Sequence, residues 1–162
     1  MAELFPGYVI DTNALIDLWR RWYARDVFVG VWRNFEKLFK SGEIVAPSQV
    51  LNELQSQRDE LYEWARKQKF FIDLDEEQRN ALNEILRDFP EDTFVDVKRT
   101  KPDADPFVVA LARVKGPKWK VISSENPGGT SPRKRIPDVC AHYGIKCLRL
   151  LDFFREKQWR FE

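Results

Sequence analysis

One histidine, two cysteines and a net charge of only +1 in 162 residues set the first limits on this chain. With His142 alone, nucleic-acid hydrolysis by a pair of histidines is excluded, and the residue reads as lying on a helix surface. Cys140 and Cys147 lack CxxC spacing. The chain starts without a basic n-region and an apolar h-region, so a reducing cytoplasm is the expected setting. His142 follows Cys140 at i+2, a spacing that points side chains apart on a helix, so Cys140 reads as a small buried thiol. Asn126-Pro127-Gly128-Gly129 lacks the Lys and Ser/Thr of a phosphate-binding loop. No apolar run approaches the roughly 20 residues of a membrane span, and a mean hydropathy of -0.52 with 33% charged residues describes a soluble chain.

What is abundant is aromatic: 14% of residues, six of them Trp. Trp19, Trp22, Trp32 and Trp64 all sit in helical apolar patterns and are expected in the core. Charge is segregated, with Arg113 to Arg135 basic and Asp73 to Asp96 acid-rich. The length suits one domain, residues 1–162, able to bury about two thirds of its unfolded surface.

The organising stretch is Tyr8 to Leu18. Tyr8-Val9-Ile10 reads as a buried strand, Asp11 falls where it ends, and Thr12 or Asn13 can cap a helix whose face carries Leu15, Leu18, Trp19 and Trp22. An acid at the carboxyl end of a strand faces the usual ligand site of an open α/β sheet. Asp17 reads as exposed on the opposite side of that helix. Further on come a helix over about 30–40, a strand at Glu43 to Ala46, and a helix from Ser48, as N-cap, to about Gln55 that carries Glu53. A helix over 58–67 follows, then a short strand or extended link at 70–74. Asp75 to Gln78 forms a capping box before a helix bearing Leu82, Ile85, Leu86 and Phe89.

Asp105-Pro106 matches N-cap then N1 of a deeply packed helix, Phe107 to Ala112. The strand Lys118 to Ser123 ends near Glu125, which therefore repeats the position of Asp11. Residues 126–135, with two glycines, two prolines and Arg133-Lys134-Arg135, read as an exposed, mobile loop. A helix from Ile136 to Gly144, a strand Cys147 to Leu150 and a helix Leu151 to Lys157 close the chain. The alternation predicts an α/β fold, a central mostly parallel sheet flanked by helices on both faces.

Asp11, Glu53, Asp105 and Glu125 then fall on one functional side. If they converge, their charges repel unless a cation neutralises them, and an all-oxygen set suits Mg²⁺ or Mn²⁺ before zinc. Asp103 reads as a solvated loop acid, with Asp105 preferred for its place before Pro106.

These residues resemble a PIN domain over nearly the full length. The resemblance rests on the hydrophobic-Ile-Asp-Thr-Asn opening, Gln49-Val50-Leu51-Asn52-Glu53-Leu54, Ala104 to Ala112, and Val121-Ile122-Ser123-Ser124-Glu125. Ile136-Pro137-Asp138-Val139-Cys140 points to a less characterised PIN-like subgroup. The resemblance implies a metal-dependent endoribonuclease in which Asp11, Glu53, Asp105 and Glu125 form the acidic cluster and Asn13 is a polar supporting or substrate contact. Many members carry Asp where Glu125 stands, and the longer arm would hold metal through water or bind a second ion with substrate. The resemblance also implies a toxin of a toxin–antitoxin pair, with an antitoxin covering the acidic pocket and homodimerisation plausible. Arg133, Lys134, Arg135 and Lys101 are candidates to hold an RNA backbone, the alternative being a solvated basic loop. A second class stays open: a PIN-like module that binds RNA or protein without cutting. A phosphatase with an aspartyl nucleophile would want a second Asp where Asn13 stands.

Overall fold

The computed structural model describes residues 4–90, 93–95 and 103–162. Lys101, a candidate phosphate contact, lies outside the described residues.

β1 (Gly7–Ile10) and β2 (Ile44–Pro47) are buried at every position, the pattern of strands covered on both faces of a parallel sheet. β3 (Phe71–Ile72), β4 (Trp119–Ile122) and β5 (Cys147–Leu148) complete a five-stranded sheet in the order β3-β2-β1-β4-β5, parallel at every pairing. The winding therefore runs outward from β1 in one direction and from β4 in the other. With right-handed crossovers, the two halves send their helices to opposite faces. Such a reversal leaves a crevice at the carboxyl ends of the two central strands.

The helices divide the core into two chemistries. α6 (Asp105–Lys115) packs across β1, β2 and β4, with α5 (Glu76–Asp88) outside it and α7 (Ile136–His142) beside it. Its buried residues are aliphatic, Val108 to Ala112. The other layer is aromatic. Phe35 and Phe39 of α2 (Val29–Ser41), Trp64 of α4 (Glu60–Ala65), Phe70, and Phe153 and Phe154 of α8 (Leu150–Glu156) form a continuous ring network. Tyr8 of β1 meets Phe153 edge-on at 4.8 Å. Trp19, Trp32 and Trp64 pack together, as their helical spacing predicts.

Trp22 is the exception, 64% exposed. After α1 (Thr12–Ile16) the helix widens into a π-helical turn, Asp17–Trp22. Bonding at i→i+5 breaks the i, i+3, i+7 face that would have carried Trp22 inward. Asp17, expected to be exposed, is instead buried, and Arg21 at 3.0 Å neutralises its carboxylate there.

Other departures are local. Ser48 and Asp105, expected as N-caps, are the first helical residues of α3 (Ser48–Gln55) and α6, with Pro47 and Ala104 in the cap positions. Asp75 does cap α5 by accepting from Gln78 N, but the Gln78 side chain donates to Asp73 O instead of reaching back. Leu86 turns toward solvent while Leu82 and Ile85 are buried. Residues 70–74 do form a strand, two residues long. Cys140 is buried and His142 exposed, as expected.

Gly7 lies opposite Trp119 in the β1–β4 register, and a β-carbon there would sit 2.5 Å from the buried indole. Gly7→Ala is therefore expected to destabilise the fold by about 1–3 kcal/mol, the usual range for overpacking a core. Equilibrium denaturation, with Gly30→Ala as a comparison where the added carbon would meet only ordinary van der Waals contacts with Phe161, checks this.

Candidate functional site

The pairing of Ile10 with Ile122 puts Asp11 and Ser123 side by side, one residue beyond the ends of the central strands. Asp11 is 1% exposed. Its Oδ1 accepts from Ala14 N at 2.6 Å, capping α1, and its Oδ2 accepts from Ser123 Oγ at 2.6 Å. Ser123 Oγ in turn accepts from Glu125 N at 3.1 Å. One fully buried hydroxyl thus links the acid that ends β1 to the acid that follows β4. Sequence reasoning did not select Ser123; the available signal was only that it is the first polar residue after Val121-Ile122, and its register with Asp11 comes from the strand pairing.

Glu53 reaches from α3 to accept from Ala104 N at 2.7 Å, which fixes the start of α6 between Asp103 and Asp105. Glu125 Oε2 accepts from Ile136 N at 3.0 Å, at the start of α7. Asp103 Oδ1 accepts from Asp105 N at 3.2 Å. Asp103 is 5% exposed, not solvated: its carboxyl turns back onto Asp105 N, next to the Ala104 N that Glu53 holds. The cluster therefore has five acids where the sequence offered four.

Their convergence is visible in their electrostatics. Burial above all, with smaller pushes from the charges of Glu125 and Glu53, raises the Asp11 carboxyl to about 7 in spite of its bonds from Ser123 and Ala14. Burial also raises Asp105 well above the ordinary carboxylate range, and Asp103, Glu125, Asp11 and Glu53 all press it the same way. Like charges confined in a desolvated crevice call for a cation.

Two buried oxygens lack a hydrogen-bond partner among the described residues, Thr12 Oγ1 and Gln49 Oε1. One sits beside Asp11 in sequence, the other one helical turn before Glu53. Five carboxyls supply the hard-oxygen chemistry that Mg²⁺ or Mn²⁺ takes. Among the described residues, no three His, Cys, Asp or Glu side chains are grouped closely enough to hold an ion as they stand. Glu53 and Glu125 are turned to the helix starts of α6 and α7.

Asn13 is exposed on the first turn of α1. The supporting bond to Asp11 comes from Ser123 instead, and Asn13 is left facing solvent at the mouth of the crevice. Arg133 and Arg135 are exposed, and Lys134 is half-buried. Their loop is exposed as expected but tied down. Asp138 Oδ2 accepts from Gly128 N at 2.8 Å and from Arg135 N at 2.9 Å, and Lys134 N donates to Thr93 O. A β-carbon on Gly128 would fall 2.7 Å from Arg133 O, so only glycine permits so close a turn.

The fold and its crevice define an α/β domain with an acidic site at the reversal point of an all-parallel sheet. A family model described as a domain of unknown function, DUF4411, matches residues 8–161, and the chain belongs to that family. Comparison with curated proteins gives no match. No helix among the described residues is long and apolar enough to cross a membrane.

The raised carboxyls set a pH dependence. Asp11 ionises near pH 4 in the unfolded chain and at about 7 in the folded one. Between those values the folded state binds more protons, so without a divalent ion stability falls as pH rises, and Asp105 extends the loss upward. Thermal scans in EDTA should show the melting temperature dropping from pH 5 to pH 8, with Asp105→Asn flattening the drop. Millimolar Mn²⁺ should restore more at pH 8 than at pH 5, and Asp11→Asn should lose most of that gain.

Proposed function

We propose that this protein is a divalent-metal-dependent endoribonuclease with a PIN-like site. The observation that carries the reading is the meeting of Asp11, Glu53, Asp105 and Glu125 around the crevice between β1 and β4, where each of the others raises the proton affinity of Asp105.

Asp11 and Asp105 are the principal ion ligands in this reading, and Glu53, Glu125 and Asp103 complete or adjust the shell. A bound Mg²⁺ or Mn²⁺ would supply the Lewis acidity that makes water nucleophilic at neutral pH and offsets charge on the phosphoryl oxygens. Ser123 holds Asp11 in one rotamer, so that carboxylate needs no rearrangement to act. Glu53 and Glu125 each accept a backbone N–H through one oxygen, and Glu125 keeps its Oε1 for water or an ion. Asn13 contacts substrate at the mouth. Arg133, Lys134 and Arg135 hold the phosphate backbone, presented by the loop that follows Glu125. The PIN resemblance implies products with 5′-phosphate and 3′-hydroxyl ends.

The toxin role of a toxin–antitoxin pair belongs to the same proposal. An antitoxin would neutralise the crevice by inserting a cation, an Arg, among the five acids, and the toxin would act as a monomer or a homodimer. A non-cutting binding module is the competing reading, favoured by the absence among the described residues of a ready ion-holding group.

Cleavage of labelled single-stranded RNA by the purified protein with Mn²⁺, Mg²⁺ or EDTA separates the two. Metal-dependent cutting that Asp11→Asn and Asp105→Asn each reduce by at least a hundredfold is expected; binding without cutting in every metal would favour the module. In the same system, replacing Arg133, Lys134 and Arg135 together by Ala should lower the slope of log affinity against log salt by about 2, at ~0.7 per phosphate contact. An unchanged slope would make the loop merely solvated.

A further inference from the structure

A groove runs beside the acids, between the π-helical turn and the start of α8. Trp22, Tyr23, Ser124, Arg149, Leu151 and Arg155 line a cavity of about 420 Å³. That lies within the ~300–1,000 Å³ of sites that take small organic groups. Ser124 joins it to the acidic crevice, since it stands between Ser123, which holds Asp11, and Glu125.

The groove's aromatic wall comes from a departure in the helix. Leu15, Leu18 and Trp22 are spaced to share one buried face, and Leu15 and Leu18 do so fully. The π-helical turn carries Trp22 out of that face and leaves its indole open in the groove. Turns of this kind are rare and concentrate at functional sites.

The charges of the groove are also sorted. Its two acids are neutralised by their own arginines, Asp17 by Arg21 at 3.0 Å and Asp152 by Arg155 at 3.3 Å. Arg149 is exposed and has no ion pair among the described residues. An open indole face beside an unpaired guanidinium fits a ligand that is flat and apolar on its faces and anionic at one edge. An unstacked nucleotide of a single strand has that chemistry. A paired nucleotide does not offer its base faces.

We propose that this groove holds an unpaired nucleotide of the RNA next to the scissile phosphate, with Trp22 stacking on its base and Arg149 holding its phosphate. The proposal rests on the ribonuclease reading. It makes the substrate single-stranded at the cut and gives the enzyme a contact on the side of the crevice supplied by α8, opposite in sequence to the basic loop.

The test uses a fluorescein-labelled 12-nucleotide single-stranded RNA, with binding read by anisotropy in EDTA and cutting read on a gel with Mn²⁺. Trp22→Ala should weaken binding about tenfold, in the range that loss of a base-stacking aromatic gives, and Trp22→Phe should keep most of it. An abasic nucleotide scanned along the strand should cost the wild-type protein a similar factor at one position beside the cut and cost Trp22→Ala nothing further there. Arg149→Ala should weaken binding and reduce its salt dependence. If wild-type protein binds and cuts while Trp22→Ala binds as well as wild type, or the abasic scan finds no coupled position, the subsite is overturned and the nuclease stands. If wild-type protein neither binds nor cuts single-stranded RNA, the nuclease reading falls and takes the subsite with it.

Discussion

The bond from Ser123 Oγ to Asp11 Oδ2 joins the two strands from which the sheet winds in opposite directions. Much of the carboxyl edge depends on it. Asp11 caps α1 with its other oxygen, and its backbone N donates to Ile122 O at 3.0 Å, continuing the β1–β4 ladder by one step. Ser123 N donates to Leu148 O, which extends the link to β5. A single buried carboxyl is therefore tied to a helix, to its neighbouring strand and, through Ser123, to the backbone of Glu125. Its orientation is set by the fold before any ligand arrives.

The crevice costs stability, and the rest of the molecule is arranged to tolerate that cost. Five acids gather at one end of the sheet, while the aromatic layer of α2, α4 and α8 supplies packing away from them. Phe39 stacks on Phe70 at 4.2 Å, and Phe35 touches Phe153, Phe154 and Trp159. α6 serves both needs: its aliphatic body fills the opposite layer, and its first turn delivers Asp105. Pro106 preorganises that turn at a position where a backbone N–H would go unused.

The parallel sheet was legible because its strands are apolar runs interrupted by helical periodicity; Asp11 was legible at the end of β1, Glu53 on the helix after β2 and Asp105 at the head of a buried helix, whereas Glu125, read as repeating the position of Asp11, lies two residues past Ser123, which holds that position. Trp22 was misread because it was placed on a 3.6-residue wheel, whereas the helix widens from Asp17 to Trp22. Asp17 was misread because an acid on that helix was assigned to water, and it is buried with Arg21 as its partner. Nothing in Asp-Leu-Trp-Arg-Arg-Trp announces a π-helical turn. Asp103 was taken for a loop acid because its burial goes with a tertiary contact beside it, the bond from Ala104 N to Glu53, fifty residues earlier in the chain. Ser123 escaped selection because hydroxyls are common at strand ends, and only the register with β1 gives this one its partner.

Asp138 fastens both ends of the basic loop with one oxygen, at Gly128 and at Arg135. What holds the loop is thus separate from what the loop displays. Within the loop, Gly129 takes a left-handed conformation and Ser131 Oγ accepts from Arg133 N, so small residues shape the turn. The side chains of Arg133 and Arg135 are left exposed on a backbone that other residues hold, and they can be exchanged without touching the bonds that close the loop.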